Sequence, residues 1–399
     1  MTFNRSSQLV LVSAASLLVG GLLTACGTLT TDFVFVTSSK AAGPNSYGEV
    51  DVFEINADSG KMRTIPASPF PSGGRNPVAE VPSPDNTNLY IVNRDDNTIV
   101  QFVIGTDGKL YPQATVNTPG IFPISVSVAG KFLVVADTYQ PLPVCSPAAP
   151  CSGSVAVFPI GAGNALGTPA TNSSASAQYW PIALASAPSH VIMPTAVASA
   201  ASGAFVYVTA YDTSVSPSVG YVFGFAVNGD GTLTALNGGV PFAAGVQPSA
   251  IASSPDGGTI YVTDTTSNTL LVYSASGGLL TPIAGSPFAT GNAPSAVVVD
   301  ATGSFVYVAN SVDSSLTGYS TSGGTVNAIG TYSTGTQPLA IGIDPSLNQY
   351  LYTANFLGNT VSGFQISATS GTLLNSQFSP YPSNANPTAV AAIPHKVSR

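Results

Sequence analysis

The sequence predicts an all-β protein, a seven-bladed β-propeller of four-stranded blades whose ring is closed by the C-terminal strand. Three observations predict it. One short apolar strand motif occurs seven times. Each copy after the first follows a strand that opens with proline. The chain begins at a second strand and ends with a spare first one.

The motif is clearest at Phe305-Val306-Tyr307-Val308-Ala309-Asn310. It recurs at 89–93, 132–137, 205–210, 260–264 and 351–355, and a degenerate copy, Phe33-Val34-Phe35-Val36-Thr37-Ser38, opens the series. Such internal repetition is the signature of a stacked repeat architecture. Pro77, Pro123, Pro194, Pro248, Pro294, Pro338 and Pro387 mark first strands, because a proline at a strand's first residue costs no ladder hydrogen bond. A third strand follows each tyrosine strand, as at Thr360-Val361-Ser362-Gly363-Phe364. A Gly-rich hairpin comes next, as at Asn228-Gly229-Asp230-Gly231, where Gly and Asn supply the positive φ that tight turns need. A fourth strand often ends in Pro-Phe, as at Pro69-Phe70 and Pro287-Phe288. Pro387 opens the orphan strand, which has no tyrosine strand after it. It completes the first blade, closes the ring and removes exposed sheet edges.

Composition agrees with a folded chain. Only 7% of the 399 residues are charged, yet 44% are apolar and fall in short β-branched runs able to bury a core. The formal charge of −8, with no basic cluster, excludes nucleic acid as a partner, which needs a Lys/Arg footprint.

The N-terminus reads as a targeting segment. Arg5 precedes an apolar stretch at 9–23, too short to span a bilayer comfortably. It ends in Leu23-Thr24-Ala25-Cys26-Gly27, which looks like a bacterial lipobox. Residues 1–25 are then a signal peptide, Cys26 the lipidated residue, 26–32 a tether and 33–399 a single propeller domain. The expectation is export and anchoring to the membrane through Cys26. Gly27, where an Asp would retain the protein, favours the outer membrane of a Gram-negative cell. The remaining Cys145 and Cys151 flank a short loop, and in an oxidising compartment they pair as a disulfide. No His or further Cys stands at metal-ligand spacing, so neither a metal nor another cofactor is expected.

The strand Tyr-Val-(Ala/Thr)-(Asn/Asp), followed by Asn-Thr-Val as at Asn359-Thr360-Val361, resembles YVTN propeller repeats. With hairpins such as Ser370-Gly371-Thr372-Leu373 and Asp107-Gly108-Lys109-Leu110, the longer unit is similar to the seven-bladed lactonase family, which includes 6-phosphogluconolactonase-like proteins. The resemblance covers the whole chain after the signal. It implies metal-independent action on acidic sugar lactones or related acids. Such substrates call for Arg, Lys and His, and after the signal the chain offers four arginines (Arg63, Arg75, Arg94 and Arg399) and two histidines (His190 and His395). No catalytic set matches residue by residue.

Site candidates gather on the face that carries the loops between second and third strands. Long loops stand at 39–48, 138–153 and 211–220, and a long connection at 171–193 contains Trp180 and His190. Loops of this kind on a rigid ring commonly carry binding, although solvent-exposed drift explains them equally well. Arg75 and Arg94 could clamp a carboxylate, against the simpler reading of surface ion pairs with Asp95 or Asp96. Asn93 and Asp137, with Asp264, Asn310 and Asn355, could ring the mouth, although such residues more often bond their own turns. Glu80, in a first strand, is either an acid with a raised pKa or, preferably, the partner of Arg75 or Arg94. His190 is a general-base candidate with no nucleophile beside it, and a solvated loop histidine is the simpler reading. Two functions fit: a cell-envelope module binding a glycan, protein or small molecule, or a lactonase-like hydrolase.

Overall fold

The computed structural model describes residues 30–39, 47–200, 202–321 and 324–395. The signal segment and Cys26 lie outside the described residues. Seven antiparallel sheets form the ring. The sixth blade runs Pro294–Val299, Phe305–Asn310, Ser315–Ser320 and Asn327–Ser333 from the channel outward. The first blade takes its inner strand from the C-terminus, in the order Pro387–Pro394, Thr30–Ser38, Glu49–Asn56 and Met62–Thr64. Phe33 pairs with Ile393 and Phe35 with Ala391, so the predicted closure is present.

Two details differ from expectation. Thr30 and Asp32, placed in the tether by the sequence, already pair with Asn56 and Ile55. In four blades the outer edge is split in two: Met62–Thr64 and Phe70–Pro71 both pair with Glu49–Asn56. In three of these blades the gap is filled by a serine hydroxyl. Ser68 Oγ accepts the Val52 N–H, Ser286 Oγ that of Val272 and Ser379 Oγ that of Gly363, each at 2.9 Å. An unpaired backbone donor would otherwise be left inside the blade.

Second strands carry apolar residues on both faces because both faces are buried between blades. Alternate residues point to opposite faces. Phe33 and Phe35 pack with Leu89, Ile91 and Phe102 of blade two, whereas Val34 and Val36 pack with Tyr350, Tyr352 and Val361 of blade seven. A solvated sheet would show polar alternation instead.

The motif tyrosines join successive blades. The hydroxyl of Tyr90 donates to the Asn164 carbonyl at 2.6 Å, Tyr207 to Gly278 at 3.0 Å, Tyr307 to Gly371 at 2.7 Å and Tyr352 to Gly60 at 3.1 Å. Each acceptor lies in the bottom loop of the next blade, and the last bond crosses the closure into blade one. Gly371, at φ +68°, also lies flat on the Phe305 ring, where a Cβ would come within 2.2 Å of a ring carbon. This position therefore needs glycine for its backbone and for its lack of a side chain.

The closure carries buried carboxyls. The expected ion pair of Glu80 with either arginine does not form. The Thr37 hydroxyl donates to Glu80 Oε2 at 2.5 Å instead, from blade one across to blade two. Burial pushes the Glu80 carboxyl up to about 7, with the Thr37 bond opposing. Asp32, bonded by the Ser346 hydroxyl, is also pushed up, by burial first and by the neighbouring Asp344 second. A carboxyl held above its unfolded value favours folding at low pH. For Glu80 that contribution is whole below its ordinary value of 4.5 and is lost as pH rises to about 7.

Two outcomes are expected. Glu80→Gln flattens the pH dependence of stability and gains about 1–3 kcal/mol over the parent at pH 8, with no gain at pH 4. Urea unfolding at the two pH values measures this, and an equal effect at both contradicts it. Tyr307→Phe leaves the Gly371 carbonyl without its donor and lowers stability by about 1–2 kcal/mol. Unfolding midpoints that coincide with the parent's exclude a structural role for the hydroxyl.

Candidate functional site

First strands open at one mouth of the channel, and all seven break register there. The break falls between Pro248 and Ala250 in blade five and between Pro294 and Ala296 in blade six. One residue after each proline is thus bulged out of the ladder. Where that residue is Ser or Thr, its hydroxyl ties neighbouring strands together. Ser249 donates to the Pro294 carbonyl at 2.6 Å, Ser295 to that of Pro338 at 2.7 Å and Thr388 to that of Pro77 at 2.9 Å.

A cavity of about 330 Å³ lies in this mouth between blades three, four and five. Ile124, Met193 and Pro194 supply apolar surface, and Thr138, Thr195, Tyr211, Gln247, Ser249 and Thr265 supply hydroxyls and an amide. Its lining contains no Asp, Glu, His, Lys or Arg. The sequence reading did not single out Thr195 or Ser249. Their signal was the dipeptide Pro-(Ser/Thr) at strand starts, visible at 194–195, 248–249, 294–295 and 387–388. A second cavity, of about 300 Å³, opens on the opposite face beside Thr30. Its cations are engaged, Arg63 with Glu54 and Lys61 over the Phe378 ring.

The structure disperses the predicted site residues. Trp180 is not on the mouth rim. It pairs with Val155 as the outer strand of blade three, with its ring packed in the core at 8% exposure. Asn93 and Asp137 are fully buried and belong to their turns. Asn93 lies under Gly74 and accepts from Ser72 Oγ at 3.3 Å. Asp137 lies against Gly120 and Thr118, and burial pushes its carboxyl up to about 8. Asp264 shows the same role in full, accepting the N–H groups of Val246, Gln247, Thr266 and Ser267. The polar ring is therefore a set of turn fasteners, the reading preferred for such residues.

Arg75 and Arg94 do not converge into a clamp. Arg75 is held by Asp96, which accepts from its Nε at 2.5 Å and from its backbone N–H at 2.7 Å. The Asp96 carboxylate raises the Arg75 pKa further. Arg94 is half-buried with its guanidinium 5.1 Å from the centre of the Phe122 ring. Phe122 in turn meets Tyr139 edge-on, and its carbonyl accepts from the hydroxyl of Thr138, a mouth residue. Arg94 thus approaches the cavity from the blade-two side.

His190 is not a free loop histidine. Its Nδ1 lies 2.5 Å from Asp212 Oδ2, and the Asp212 side chain is 2% exposed against 33% for His190. Asp212 Oδ1 accepts the Ser214 N–H at 2.8 Å. The pair stands where the two innermost strands of blade four, Ile192–Ser199 and Phe205–Asp212, reach the mouth: Ile192 pairs with Asp212, and Met193 with Tyr211, the latter two both lining residues. Cys145 and Cys151 are bridged, with Cα atoms 5.4 Å apart. The adjoining Ser152 hydroxyl donates to the His190 carbonyl at 3.1 Å and accepts the Ile192 N–H at 3.0 Å. The disulfide loop therefore fixes the backbone that carries His190. Among the described residues no cluster of His, Cys, Asp and Glu could hold a metal ion.

Comparison with known proteins places this geometry. A search of the curated proteins finds no match. Among solved structures, the chain is similar to a 6-phosphogluconolactonase candidate of Bacteroides fragilis, with a TM-score of 0.72 at 19% identity over 92% of this chain and 99% of that one. It is similar to the periplasmic gluconolactonase of Pseudomonas aeruginosa, with a TM-score of 0.70 at 19% identity over 91% and 99%. A Lactobacillus plantarum protein gives 0.68 at 17% identity over 92% and 100%. At these identities the likeness concerns the fold. The family profile described as lactonase, 7-bladed β-propeller matches residues 46–140 and 221–391, leaving out the disulfide loop and the His190–Asp212 pair. With more than half of its length so matched, the chain belongs to the seven-bladed β-propeller lactonase family.

Proposed function

We propose that the protein is a lactonase-type hydrolase that opens an uncharged, hydroxyl-rich lactone at the channel mouth. One observation carries the substrate class: the mouth cavity offers hydroxyls, an amide and apolar surface but no charged side chain. Such a lining suits a neutral sugar ring, whose hydroxyls exchange hydrogen bonds with Thr, Ser, Tyr and Gln while its carbon face packs on Ile124 and Met193. A phosphorylated lactone fits it poorly. The formal charge of −8 repels an anion in solution, and Arg75 is already committed to Asp96. The reaction class comes from the family, some of whose structural neighbours are named for gluconolactone chemistry.

A second reading is the binding module, which takes a glycan or other neutral ligand without turnover. The absence of any acid or base from the cavity lining itself favours it. One experiment separates the two. Purified protein is mixed with glucono-1,5-lactone and, separately, with its 6-phosphate, and acid release is followed against the uncatalysed rate. Turnover preferring the neutral lactone supports the hydrolase. Saturable calorimetric binding of the lactone or a neutral saccharide with no added turnover supports the binding module. Preference for the phosphate ester refutes the proposed substrate class.

We further propose export and lipid attachment at Cys26. Thr30, four residues on, lies at the face opposite the mouth, so a tether there leaves the mouth open. Cys26→Ser is expected to move the protein from the membrane to the soluble fraction. Unchanged membrane association after fractionation removes the anchor.

A further inference from the structure

We propose that His190 is the general base of the lactone-opening reaction, with Asp212 as its positioning residue. The inference rests on the hydrolase reading above and adds the group that reading lacks, since nothing lining the cavity can take a proton readily at neutral pH.

The hydrogen bonds determine which nitrogen can act. Asp212 is buried and an acceptor only, so the proton shared at 2.5 Å belongs to His190 Nδ1. In the neutral imidazole the Nε2 lone pair is then free, on a side chain that keeps one third of its surface open to solvent. This is the base form of the imidazole, and a buried carboxylate behind it also stabilises the imidazolium once a proton arrives. Both partners are held from behind. Ser152 bonds the His190 and Ile192 backbone, the Val191 N–H donates to Ser214 Oγ at 2.8 Å, and the Ser214 N–H holds Asp212. A histidine serving only as surface covering needs no such restraint.

The position also fits. His190 precedes Met193 of the cavity lining by three residues, and Asp212 directly follows Tyr211. The His190 N–H closes a turn onto the Ala187 carbonyl at 3.0 Å, just before the strand Ile192–Ser199 begins, so the ring stands beside the rim of the cavity and the proposal places a water between it and the bound lactone. The segment that carries the pair lies outside the residues that the family profile matches.

The step balances with water alone. Water oxygen bonds to the lactone carbonyl carbon as His190 Nε2 takes one of its protons. The ring C–O bond then breaks, and the imidazolium returns that proton to the leaving alkoxide oxygen. The product is the open hydroxy acid, which releases its carboxyl proton to solvent.

Steady-state kinetics with glucono-1,5-lactone test the proposal. His190→Gln is expected to lower kcat by about 10²–10⁴-fold, the usual worth of a general base, with KM changed less than threefold. Asp212→Asn is expected to lower kcat strongly too, because its amide donates to Nδ1 and forces the ring proton onto Nε2. Nitrogen NMR of the parent protein gives an answer that does not depend on either variant folding. With two histidines in the sequence, the His190 signal is assigned by loss in His190→Gln or, failing that, by loss of the other in His395→Gln. It should show the Nδ1–H tautomer. An Nε2–H tautomer, or a kcat retained within threefold in His190→Gln, overturns the role of His190 while turnover by the parent preserves the hydrolase reading. A parent that turns over no neutral lactone overturns both.

Discussion

The ring is held by one contact made repeatedly, a tyrosine hydroxyl that crosses from each donor blade to a backbone carbonyl of the next. A single four-stranded blade cannot bury both of its faces, so no blade is stable without its neighbours. Apolar packing brings the faces together but does not by itself fix how far one blade turns against another. The bonds from Tyr90, Tyr207, Tyr307 and Tyr352 fix that relation at the bottom of the ring, because each needs a particular loop carbonyl at a particular height. Blades one and three hold Phe35 and Val134 at the same position and rely on packing there, Phe33 resting on Gly108 and Phe132 on Gly231, while in blade five the Tyr261 hydroxyl meets the Thr321 side chain instead of a carbonyl.

With the bottom so fastened, the mouth can vary. At that end Asn or Asp side chains fasten the entrances of five blades, and the bulged Ser249, Ser295 and Thr388 tie adjacent first strands. Those bonds hold the rim at backbone level without using the loops above. The long loops of blades three and four can therefore carry features absent from the other blades, including a disulfide and a buried Asp–His pair. The cavity lies against these two blades and blade five.

The fold was legible in the sequence because it is local and repeated. Tyr307, Pro294 and Gly371 each hold a position set by strand period or turn conformation, and seven copies average out the exceptions. Closure by Pro387 followed from an unpaired strand, and the Cys145–Cys151 bridge from two cysteines six residues apart. The site was less legible because its contacts join residues that share no period. Trp180 sits between loop-like stretches, and nothing in its neighbours says that it pairs with Val155 and enters the core. Glu80 had two arginines near it in sequence, yet the closing geometry put the Thr37 hydroxyl closer. Asp212 is 22 residues from His190, and only the register of the blade brings the two together.

The velcro of the first blade has a mechanical consequence. Strands Thr30–Ser38 and Pro387–Pro394 are antiparallel neighbours, so the chain enters and leaves side by side at the face away from the mouth. A force applied between the two termini would peel this ladder apart from Asp32 and Pro394, loading its hydrogen bonds one at a time, whereas a shearing geometry would load them together. Pulled at both ends, the ring opens at its weakest direction. Pulled at one end alone, as by a single anchor in flowing medium, the load passes into Thr30–Ser38 and is shared with the strands on either side. A polypeptide fused to the free terminus and held elsewhere would turn the seam into a force-sensitive latch.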